Sequence, residues 1–457
     1  MPDSAAAIFA RLSEQDAPAV TPRVIDTAVV LGGSVAGLLA ARVLSDHAAT
    51  VIIIERDDPG AGAEPRPGVP HGSQIHLLLP GGRVQLERWF PGITKQAQAA
   101  GAPELLASRR CSFSGDTRVP AGSRHTMLGI TRPLLESLIR ERTLALPNVK
   151  QVTGRVTGLE FSPDAVTGVR HESDGETALQ QADFVVDATG RSSRLGHWLD
   201  DAGWQAPPAE RMKIGLNYAS ALLRPSGGDP GLQQSYWHLP GGPAEAAFAE
   251  VEGGRWMIVS MGYGDNRPGR AEEDVVRAWA AYPAEFREVV QGAEFLGPVH
   301  AFHKAENVRR DFTALTRVPA RLVAVGDAVA SFNPAYGQGM TSAALHASAL
   351  SEYLRSGQDL ASPAREFFRL QKVVVDAAWD TSALPDLALP HVDGPYPRGY
   401  WLIKRISQQL MAAVERDSGL MGRLEEVGFM LRHPTSLSTP GVLARILMVN
   451  LRASFRR

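Results

Sequence analysis

Short apolar runs recur along the first three quarters of the chain, and each one ends in a glycine or an acid. Runs of this length and composition predict buried strands of a parallel sheet. They cover residues 27–31, 51–54, 182–186 and 322–325. Apolar residues at helical spacing follow several of them, as at 38–44, 130–139 and 340–350. This alternation of strand and helix predicts an α/β fold of the Rossmann-like type.

The pattern changes twice further along the chain. Between residues 206 and 317, short strand-like runs alternate with Gly/Pro turns, which predicts an inserted antiparallel sheet. Such a sheet would form one wall of a pocket. After residue 350 the apolar spacing is helical, in segments 363–379, 399–415, 420–431 and 439–455. Residues 1–22 contain a short predicted helix at 5–12 and are expected to pack on the first domain or to trail from it.

The first strand runs into a glycine-rich turn, Gly32-Gly-Ser-Val-Ala-Gly37, and the second strand ends at Glu55, 23 residues after Gly32. Small residues at such a turn let the backbone approach a pyrophosphate at the helix N-terminus, and the acid binds ribose hydroxyls. Ser34 replaces the usual second glycine, and its hydroxyl could itself bond a phosphate. The βαβ unit therefore predicts an adenine-dinucleotide site, without separating FAD from NAD. Its predicted contacts are Gly32, Gly33, Ser34, Ala36, Gly37, Glu55 and Arg56.

A second candidate site begins where the run 322–325 ends, at Gly326 and Asp327. A carboxylate at the carboxyl end of a strand could bind the hydroxyls of a sugar or ribityl chain. The following turn, residues 333–339, is rich in residues that permit close backbone approach, and the helix after it would direct free amides towards a ligand. An ordinary strand, turn and helix with a capping aspartate is the alternative.

Three further positions carry polar candidates. Gln74 could line the cofactor or anchor its loop. Arg132 precedes a proline at a predicted helix start, where a cation could meet a phosphate; a solvated arginine is the alternative. A strand-end acid and a glycine recur at Asp187 and Gly190.

Composition excludes several classes of function. The net charge of −2 and the lack of a basic run give no reason to expect nucleic acid. The single cysteine, Cys111, excludes an internal disulfide, fits a reducing cytoplasm and is expected to be a buried apolar thiol. His71 and His76 lack a third metal ligand, so no metal site is expected. Neither secretion nor membrane insertion is indicated. The last helix is mildly amphipathic, but packing against the protein is expected for it rather than membrane contact.

Taken together, GGSVAG with Glu55, DATG at 187–190 and GDAVASFNPAYGQGM at 326–340 resemble the FAD-dependent monooxygenases of the aromatic-hydroxylase and squalene-epoxidase type, nearest a bacterial polyketide-type epoxidase branch. The resemblance runs from about residue 24 to 350. It implies a Rossmann-like FAD-binding domain with an inserted antiparallel β-sheet substrate domain and a helical C-terminal region. The expected organisation is an N-terminal extension (1–22), the FAD-binding domain in two parts (23–204 and 318–355), the substrate domain (205–317) and the helical region (356–457).

The resemblance also implies roles for individual residues. Asp327 would bond the ribityl hydroxyls, and Arg132 and the backbone of Val156 would touch the ribityl or phosphate region and the adenine. Asp187 and Gly190 would lie near the pyrophosphate and the NAD(P)H path. The isoalloxazine ring would be bordered by Pro334, Gly337, Gly339 and Met340.

The activity implied is insertion of one atom of O2 into an apolar organic substrate, by epoxidation or hydroxylation through a peroxyflavin, with NAD(P)H as electron donor. A natural product of the polyketide type is the expected substrate, and the flavin itself would perform the chemistry. A separate flavin reductase is left open. The alternatives are a flavin-dependent reductase of an unsaturated lipid, a flavin halogenase and a non-catalytic flavin-binding protein; the halogenase motif W-x-W-x-I-P is absent from the sequence.

The predicted substrate pocket includes Tyr218, His238 and Trp256. A phenol hydroxylation would gain from a base, for which Tyr218, His238, His300 and His303 are candidates.

Overall fold

A computed structural model of the chain describes residues 3–19, 23–58, 60, 62–227, 231–238 and 244–455. Its centre is a five-stranded parallel sheet. The strands, in spatial order, are β18 (Leu322–Ala324), β11 (Phe184–Asp187), β1 (Ile25–Leu31), β2 (Ala48–Glu55) and β7 (Val149–Thr153). Because all are parallel, their carboxyl ends share one edge. Leu31 lies opposite both Ile54 and Asp187, so the turns that follow β1, β2 and β11 are adjacent.

Helices cover the parallel sheet because its strands are apolar on both faces. The helices of this part of the molecule, of which α2 and α5 contact the strands directly, are α1 (Ala5–Leu12), α2 (Val35–His47), α3 (Pro80–Trp89), α4 (Ile93–Ala99), α5 (Arg132–Leu144), α6 (Leu195–Asp201), α9 (Gly339–Arg355) and α10 (Arg365–Asp386). The N-terminal helix α1 is packed rather than trailing: Phe9 is buried, and Arg11 Nη2 donates to Glu352 Oε1 over 2.8 Å. Residues 1–2 and 20–22 of the predicted extension lie outside the described residues.

An antiparallel sheet forms the second layer. Its order is β19 (Ala330–Ser331), β17 (His300–Arg310), β12 (Ala209–Arg224), β15 (Arg255–Tyr263), β14 (Ala244–Val251), β13 (Gln234–His238), β4 (Arg110–Ser114) and β5 (Thr117–Pro120), with β16 (Glu294–Phe295) beside β12. One face packs on α7 (Glu272–Trp279) and α8 (Ala284–Val290) through a core that includes Phe248, Trp279 and Phe286. The other face is turned towards the parallel domain.

The strands β4 and β5 differ from the expected domain limits. They come from residues 110–120, which the sequence placed in the first part of the FAD-binding domain, yet β4 pairs in parallel with β13. This pairing joins segments more than a hundred residues apart, and local apolar spacing carries no information about it. After β7 ends at Thr153, β8 (Arg155–Phe161) begins a separate small sheet with β9 (Val166–Ser173) and β10 (Glu176–Gln181).

The C-terminal region is helical as predicted. After α10 it contains α11 (Tyr400–Val414), α12 (Ser418–Gly428) and α13 (Pro440–Ser454), which share a small apolar core of their own. A two-stranded sheet, β3 (Glu104–Leu105) with β6 (Met127–Leu128), completes the described elements. No helix in the described ranges is long and apolar enough to cross a bilayer. The predicted fold class is confirmed.

Candidate cofactor and substrate cavity

A cavity of about 730 Å³ lies between the carboxyl edge of the parallel sheet and the inner face of the antiparallel sheet. Crevices at this edge are where open α/β sheets bind their ligands. Both domains contribute walls, and α12 closes part of the cavity with Glu425 and, just after the helix, Phe429. The arrangement suits a large ligand held by the first domain against a second molecule held by the sheet.

The turn between β1 and α2 is built around close backbone contacts. Gly32 has a φ of +100°, which disfavours any side chain, and a Cβ on Gly37 would lie 1.8 Å from the Gly32 carbonyl oxygen. The Gly33 N–H donates to Glu55 Oε2 over 2.6 Å. Gly33 and Gly37 therefore shape the turn without lining the cavity, whereas Gly32 and Glu55 do line it.

Ser34 and Arg132 meet at the N-terminus of α2 through a buried carboxylate, Glu136. Glu136 accepts hydrogen bonds from Ser34 Oγ (2.7 Å), from Arg132 Nη2 (3.1 Å) and from Arg140 Nη2 (2.7 Å), and Arg66 Nε donates to it over 3.0 Å. Burial alone would raise the pKa of Glu136, but Arg132, Arg66 and the Ser34 hydroxyl lower it to about 2. Arg132 is buried, so the alternative of a solvated arginine is wrong.

Three arginines and three carboxylates balance in this cluster next to the cavity. Arg66, Arg132 and Arg140 surround Glu136, and Arg66 also pairs with Asp57 over 3.0 Å and with Glu55 over 3.7 Å. Arg132 and Ser34 both line the cavity beside the helix N-terminus. Oriented cations and free helix amides are the groups that bind a pyrophosphate.

The turn after β18 touches the first turn directly. Gly326 has a φ of +62°, and a Cβ on it would lie 2.6 Å from the Ala36 Cβ. Its N–H donates to His346 Nδ1 over 3.0 Å. Burial lowers the pKa of His346 to about 3, so the ring is neutral with its proton on Nε2, 3.5 Å from Ser342 Oγ. Sequence reasoning missed this histidine, because it lies inside an ordinary Ala-rich helix.

Asp327 projects into the cavity from this turn. No hydrogen bond from the described residues engages its carboxylate, so both oxygens are available to hydroxyl donors. Lys304 also lines the cavity and donates to Ser331 Oγ. Burial lowers the pKa of Lys304 to about 8, against the opposing effect of the Asp327 charge.

The turn 333–339 is held from behind by Asp386 at the end of α10. Asp386 Oδ1 accepts from Asn333 Nδ2 over 2.8 Å and from the Tyr336 hydroxyl over 3.1 Å. Burial raises the pKa of Asp386 to about 6, although these donors oppose the shift. Gly337 has a φ of +69°, and a Cβ on Gly339 would meet no atom within 4 Å. The backbone of the turn is therefore open towards the cavity, which leaves room for a planar group.

Asp187 has a different position from the one expected. It is fully buried and accepts from the Thr189 N–H (2.9 Å), Thr189 Oγ1 (2.6 Å) and Ser193 Oγ (2.5 Å). It does not line the cavity; it organises the turn that presents Gly190 and Arg191 there. Both of its oxygens are occupied by its own loop, so the predicted cofactor contact needs correction to a supporting role.

The substrate side of the cavity is apolar and aromatic. It is formed by Tyr236, Ala247, Val259, Met261 and Phe302 on the inner face of the antiparallel sheet.

The residues predicted for this pocket lie elsewhere. Tyr218 lies behind Phe302, with 5.4 Å between ring centroids. Trp256 points to the opposite face of the sheet and packs on Phe248, so it is core. His238 lies beyond Tyr236, with 6.1 Å between their ring centroids. These three side chains do not line the cavity, because strand alternation and neighbouring rings separate them from it.

The remaining candidate bases are also outside the cavity lining. His300 is exposed, and its carbonyl oxygen accepts from Gln74 Nε2 over 2.8 Å. His303 Nδ1 lies 3.1 Å from Asn217 Oδ1 on the exposed side of the strand. Gln74 lines the cavity while it anchors this strand, and its Oε1 is buried without a partner in the described part of the chain.

A half-buried acid that sequence reasoning missed, Glu245, lies on β14 next to this wall. It belongs to the same strand face as Ala247, and Met261 and His238 are its neighbours in register. Burial raises the pKa of Glu245 to about 7, the Tyr236 hydroxyl lowers it and Asp386 raises it. Its Oε2 has no hydrogen-bond partner among the described residues. The alternation of the Ala-rich strand could have indicated this position.

Two further expectations concern the burial of Cys111 and the binding of a metal ion. Cys111 is buried, as predicted, and burial raises its thiol pKa. In the described ranges no three His, Cys, Asp or Glu side chains are grouped so as to hold a metal ion.

The geometry agrees with the sequence comparisons. Residues 25–357, most of the chain, match the family profile described as FAD binding domain. The chain belongs to this FAD-binding family. FAD is therefore the cofactor, NAD(P)H is the typical electron donor of such proteins, and the resemblance to FAD-dependent monooxygenases of the aromatic-hydroxylase type is confirmed.

Relatives of this FAD-binding protein span nearly its whole length. Protein Rv3254 of Mycobacterium tuberculosis (strain ATCC 25618 / H37Rv) is 33% identical over an alignment of 419 residues, which covers 86% of this chain and 87% of the relative. Among solved structures, the p-nitrophenol 4-monooxygenase PnpA from Pseudomonas putida DLL-E4 superposes with a TM-score of 0.65 at 16% identity, covering 90% of this chain and 99% of PnpA. The flavin-dependent brominase Bmp2 superposes with a TM-score of 0.67 at 14% identity, covering 96% and 100%. At these identities the structures establish the fold.

The residues present fit FAD. Most of the predicted contacts line one continuous cavity: Gly32, Ser34, Ala36, Glu55, Arg56, Gln74, Arg132, Val156, Gly190, Gly326, Asp327, Pro334, Gly337, Gly339 and Met340. The lining includes the acid Glu55, the cation Arg132, the open carboxylate of Asp327 and the open backbone at Gly339. In FAD, an acid suits the ribose, a cation suits the pyrophosphate, a free carboxylate suits the ribityl hydroxyls and an open backbone suits the planar ring.

Proposed function

We propose that this protein is an FAD-dependent monooxygenase that inserts one oxygen atom of O2 into an apolar organic substrate, by hydroxylation or epoxidation, with NAD(P)H as the electron donor. The observation that carries the proposal is the two-sided cavity. One wall has the polar groups that FAD requires, and the other is the apolar face formed by Tyr236, Ala247, Val259, Met261 and Phe302. The substrate would therefore lie on the sheet, directly against the cofactor.

The residues of the chain would bind FAD and the substrate, orient them towards each other and exclude water from the cavity. The predicted cofactor contacts are those that line the cavity, with Asp327 at the ribityl hydroxyls, Arg132 at the pyrophosphate and Glu55 at the ribose. Bound FAD supplies the redox chemistry with O2. The apolar wall would keep the reaction dry, which matters because water diverts reactive oxygen intermediates.

The first experiment is the visible spectrum of the purified protein with FAD, recorded under nitrogen and then under air after NADPH or NADH is added. We expect a bound-flavin spectrum that bleaches under nitrogen and returns with air, with hydrogen peroxide released when no substrate is present. The same concentration of FAD without protein is the control for signal from free flavin.

The outcomes separate the alternatives. No flavin binding would contradict the whole proposal. Bound flavin that NAD(P)H leaves oxidised would contradict direct use of NAD(P)H and would indicate a partner reductase or a non-catalytic flavoprotein. Once a converted compound is found, incorporation of oxygen from ¹⁸O2 supports the proposal; conversion under nitrogen would indicate a reductase, and conversion only with added halide would indicate a halogenase.

A further inference from the structure

Two C-terminal helices present apolar side chains to solvent along one side each. On α13 these residues recur every four positions, so they form a single stripe. Their exposed fractions are 38% for Leu443, 61% for Leu447, 49% for Leu451 and 87% for Phe455. On α11, Trp401 is 72%, Leu402 65% and Ile406 40% exposed. Single exposed apolar residues are normal, but a contiguous group marks an interaction surface.

Helices α11 and α13 lie side by side, and their exposed residues adjoin at one end of the pair. Asn450 Nδ2 on α13 donates to the carbonyl oxygen and to Oε1 of Gln409 on α11, each over 2.9 Å. The opposite ends of the helices meet in their shared core, so the helices run antiparallel. The start of α11, with Trp401 and Leu402, therefore lies beside the end of α13, with Phe455. We call the exposed apolar residues of α11 and α13 the α11–α13 surface.

The charge of this surface is one-sided. Helices α11 and α13 contain Lys404, Arg405, Arg445 and Arg452 and no acid, although the whole chain has a net charge of −2. Arg445 is paired with Asp417 over 2.7 Å, whereas Lys404, Arg405 and Arg452 have no ion pair within the described residues. Lys404 lies 5.6 Å from the centre of the Trp401 ring. Cations beside exposed aromatic and aliphatic residues are typical of helices that lie in a membrane interface.

We propose that the α11–α13 surface docks on the surface of an anionic lipid bilayer, with both helices in the plane of the interface. The apolar side chains would enter the acyl region, and the three unpaired cations would meet anionic headgroups. A second copy of the chain fits less well, because a symmetric contact would place two surfaces against each other that both carry cations and no acid. The last helix packs on the protein through Val442 and Ile446, as expected, and the proposal concerns its other, exposed side.

Because of the position of α12, docking would also affect how the substrate reaches the cavity. This step rests on the proposed function. The α12 segment packs under α11 and α13 and also contributes Glu425 and Phe429 to the cavity wall. Docking would bring that wall close to the bilayer. An apolar substrate dissolved in lipid could then be taken up from the membrane rather than from water.

The test is co-sedimentation of the full-length, FAD-loaded protein with vesicles of phosphatidylcholine alone or mixed with phosphatidylglycerol. We expect binding to the anionic vesicles that weakens in high salt. Leu447→Ser with Leu451→Ser should lower the partition coefficient about tenfold or more, because two inserted side chains are lost. Lys404→Glu with Arg405→Glu should abolish the preference for anionic vesicles.

The matched control variants carry the same kinds of substitution at other exposed positions on the surface. Leu179, 50% exposed on β10, is changed to Ser, and the exposed Arg267 and Arg270 are changed to Glu. These variants should bind as the wild type does. Circular dichroism checks that each variant is folded.

Two outcomes would overturn the proposal: wild-type protein that stays in the supernatant with anionic vesicles, or apolar variants that bind as tightly as the controls. A third such outcome could come from the oligomeric state, measured by light scattering on a size-exclusion column. A dimer that Leu447→Ser with Leu451→Ser converts to monomers, without vesicle binding, would show an interface between copies. Vesicle binding is measured without turnover, so its result is independent of whether the oxygenase activity is found.

Discussion

Asp327 is the residue on which the cofactor assignment can be tested most directly. Its carboxylate faces the cavity, and no described residue hydrogen-bonds to it. Replacing it with alanine removes an ionised acceptor of the ribityl hydroxyls. Hydrogen bonds to charged groups contribute about 1.5–3 kcal/mol, so the dissociation constant for FAD should rise about 10- to 100-fold. Titration of the apoprotein with FAD, followed by quenching of flavin fluorescence, measures the change.

The matched control is Asp265→Ala, an exposed aspartate in the turn after β15. Its FAD affinity should equal that of the wild type. Unchanged affinity of Asp327→Ala would remove Asp327 from the site.

Glu245 should make stability depend on pH in a defined direction. Burial, with Asp386 nearby, raises its pKa to about 7, so the folded protein holds a proton there that the unfolded chain releases near its ordinary value. This contribution to stability is complete below the unfolded pKa and is lost as the pH rises through the folded pKa. Glu245→Gln, which cannot ionise, should therefore be more stable than the wild type at pH 8, by about 2–3 kcal/mol, and similar near pH 4.

Thermal unfolding of both proteins across this pH range tests the prediction. Glu288→Gln, at an exposed position on α8, is the control and should show the same pH profile as the wild type. A constant difference between Glu245→Gln and the wild type at every pH would mean that the acid does not titrate as its burial predicts.

The close approach of α2 to the turn after β1 requires that Gly37 has no side chain. A Cβ there would lie 1.8 Å from the Gly32 carbonyl oxygen, so Gly37→Ala must push the helix away from the turn. We expect a loss of about 2–4 kcal/mol in the free energy of unfolding and weaker FAD binding, because the helix N-terminus moves with it. Differential scanning calorimetry and FAD titration are the measurements.

Gly428→Ala provides the comparison, since a Cβ at this helical position meets no atom within 4 Å. It should be neutral or slightly stabilising, because alanine favours the helix. Equal destabilisation by the two substitutions would show that close packing is not the reason for Gly37.

Individual elements also show where local sequence information ends. The strands β1, β2 and β18 and the turns after them were predicted closely, because apolar runs that end in Gly or an acid are local signals. The support behind the turn 333–339 was not predicted. Asp386 belongs to a helix about 50 residues further on, and only the fold brings it to Asn333 and Tyr336.

Across the whole molecule, the cavity exists because two sheets of different origin face each other. Its polar wall comes from the ends of parallel strands, and its apolar wall from the inner face of the antiparallel sheet. The bundle of α11, α12 and α13 closes one part of the cavity and carries the exposed α11–α13 surface on its outside. Binding of cofactor, binding of substrate and docking on lipid would thus use adjoining parts of one molecule.

The sequence by itself determined the α/β class, the FAD-binding family and most of the residues that line the cofactor side of the cavity. It could do so because strand periodicity, glycine turns and strand-end acids act over a few residues. Only the tertiary structure decided that Asp187 supports its own loop, that Trp256 faces away from the cavity, that Glu136 and His346 are buried and that Glu245 is half-buried next to the apolar wall. Each of these depends on which strand face or helix lies opposite, and that is set by packing between segments far apart in the chain.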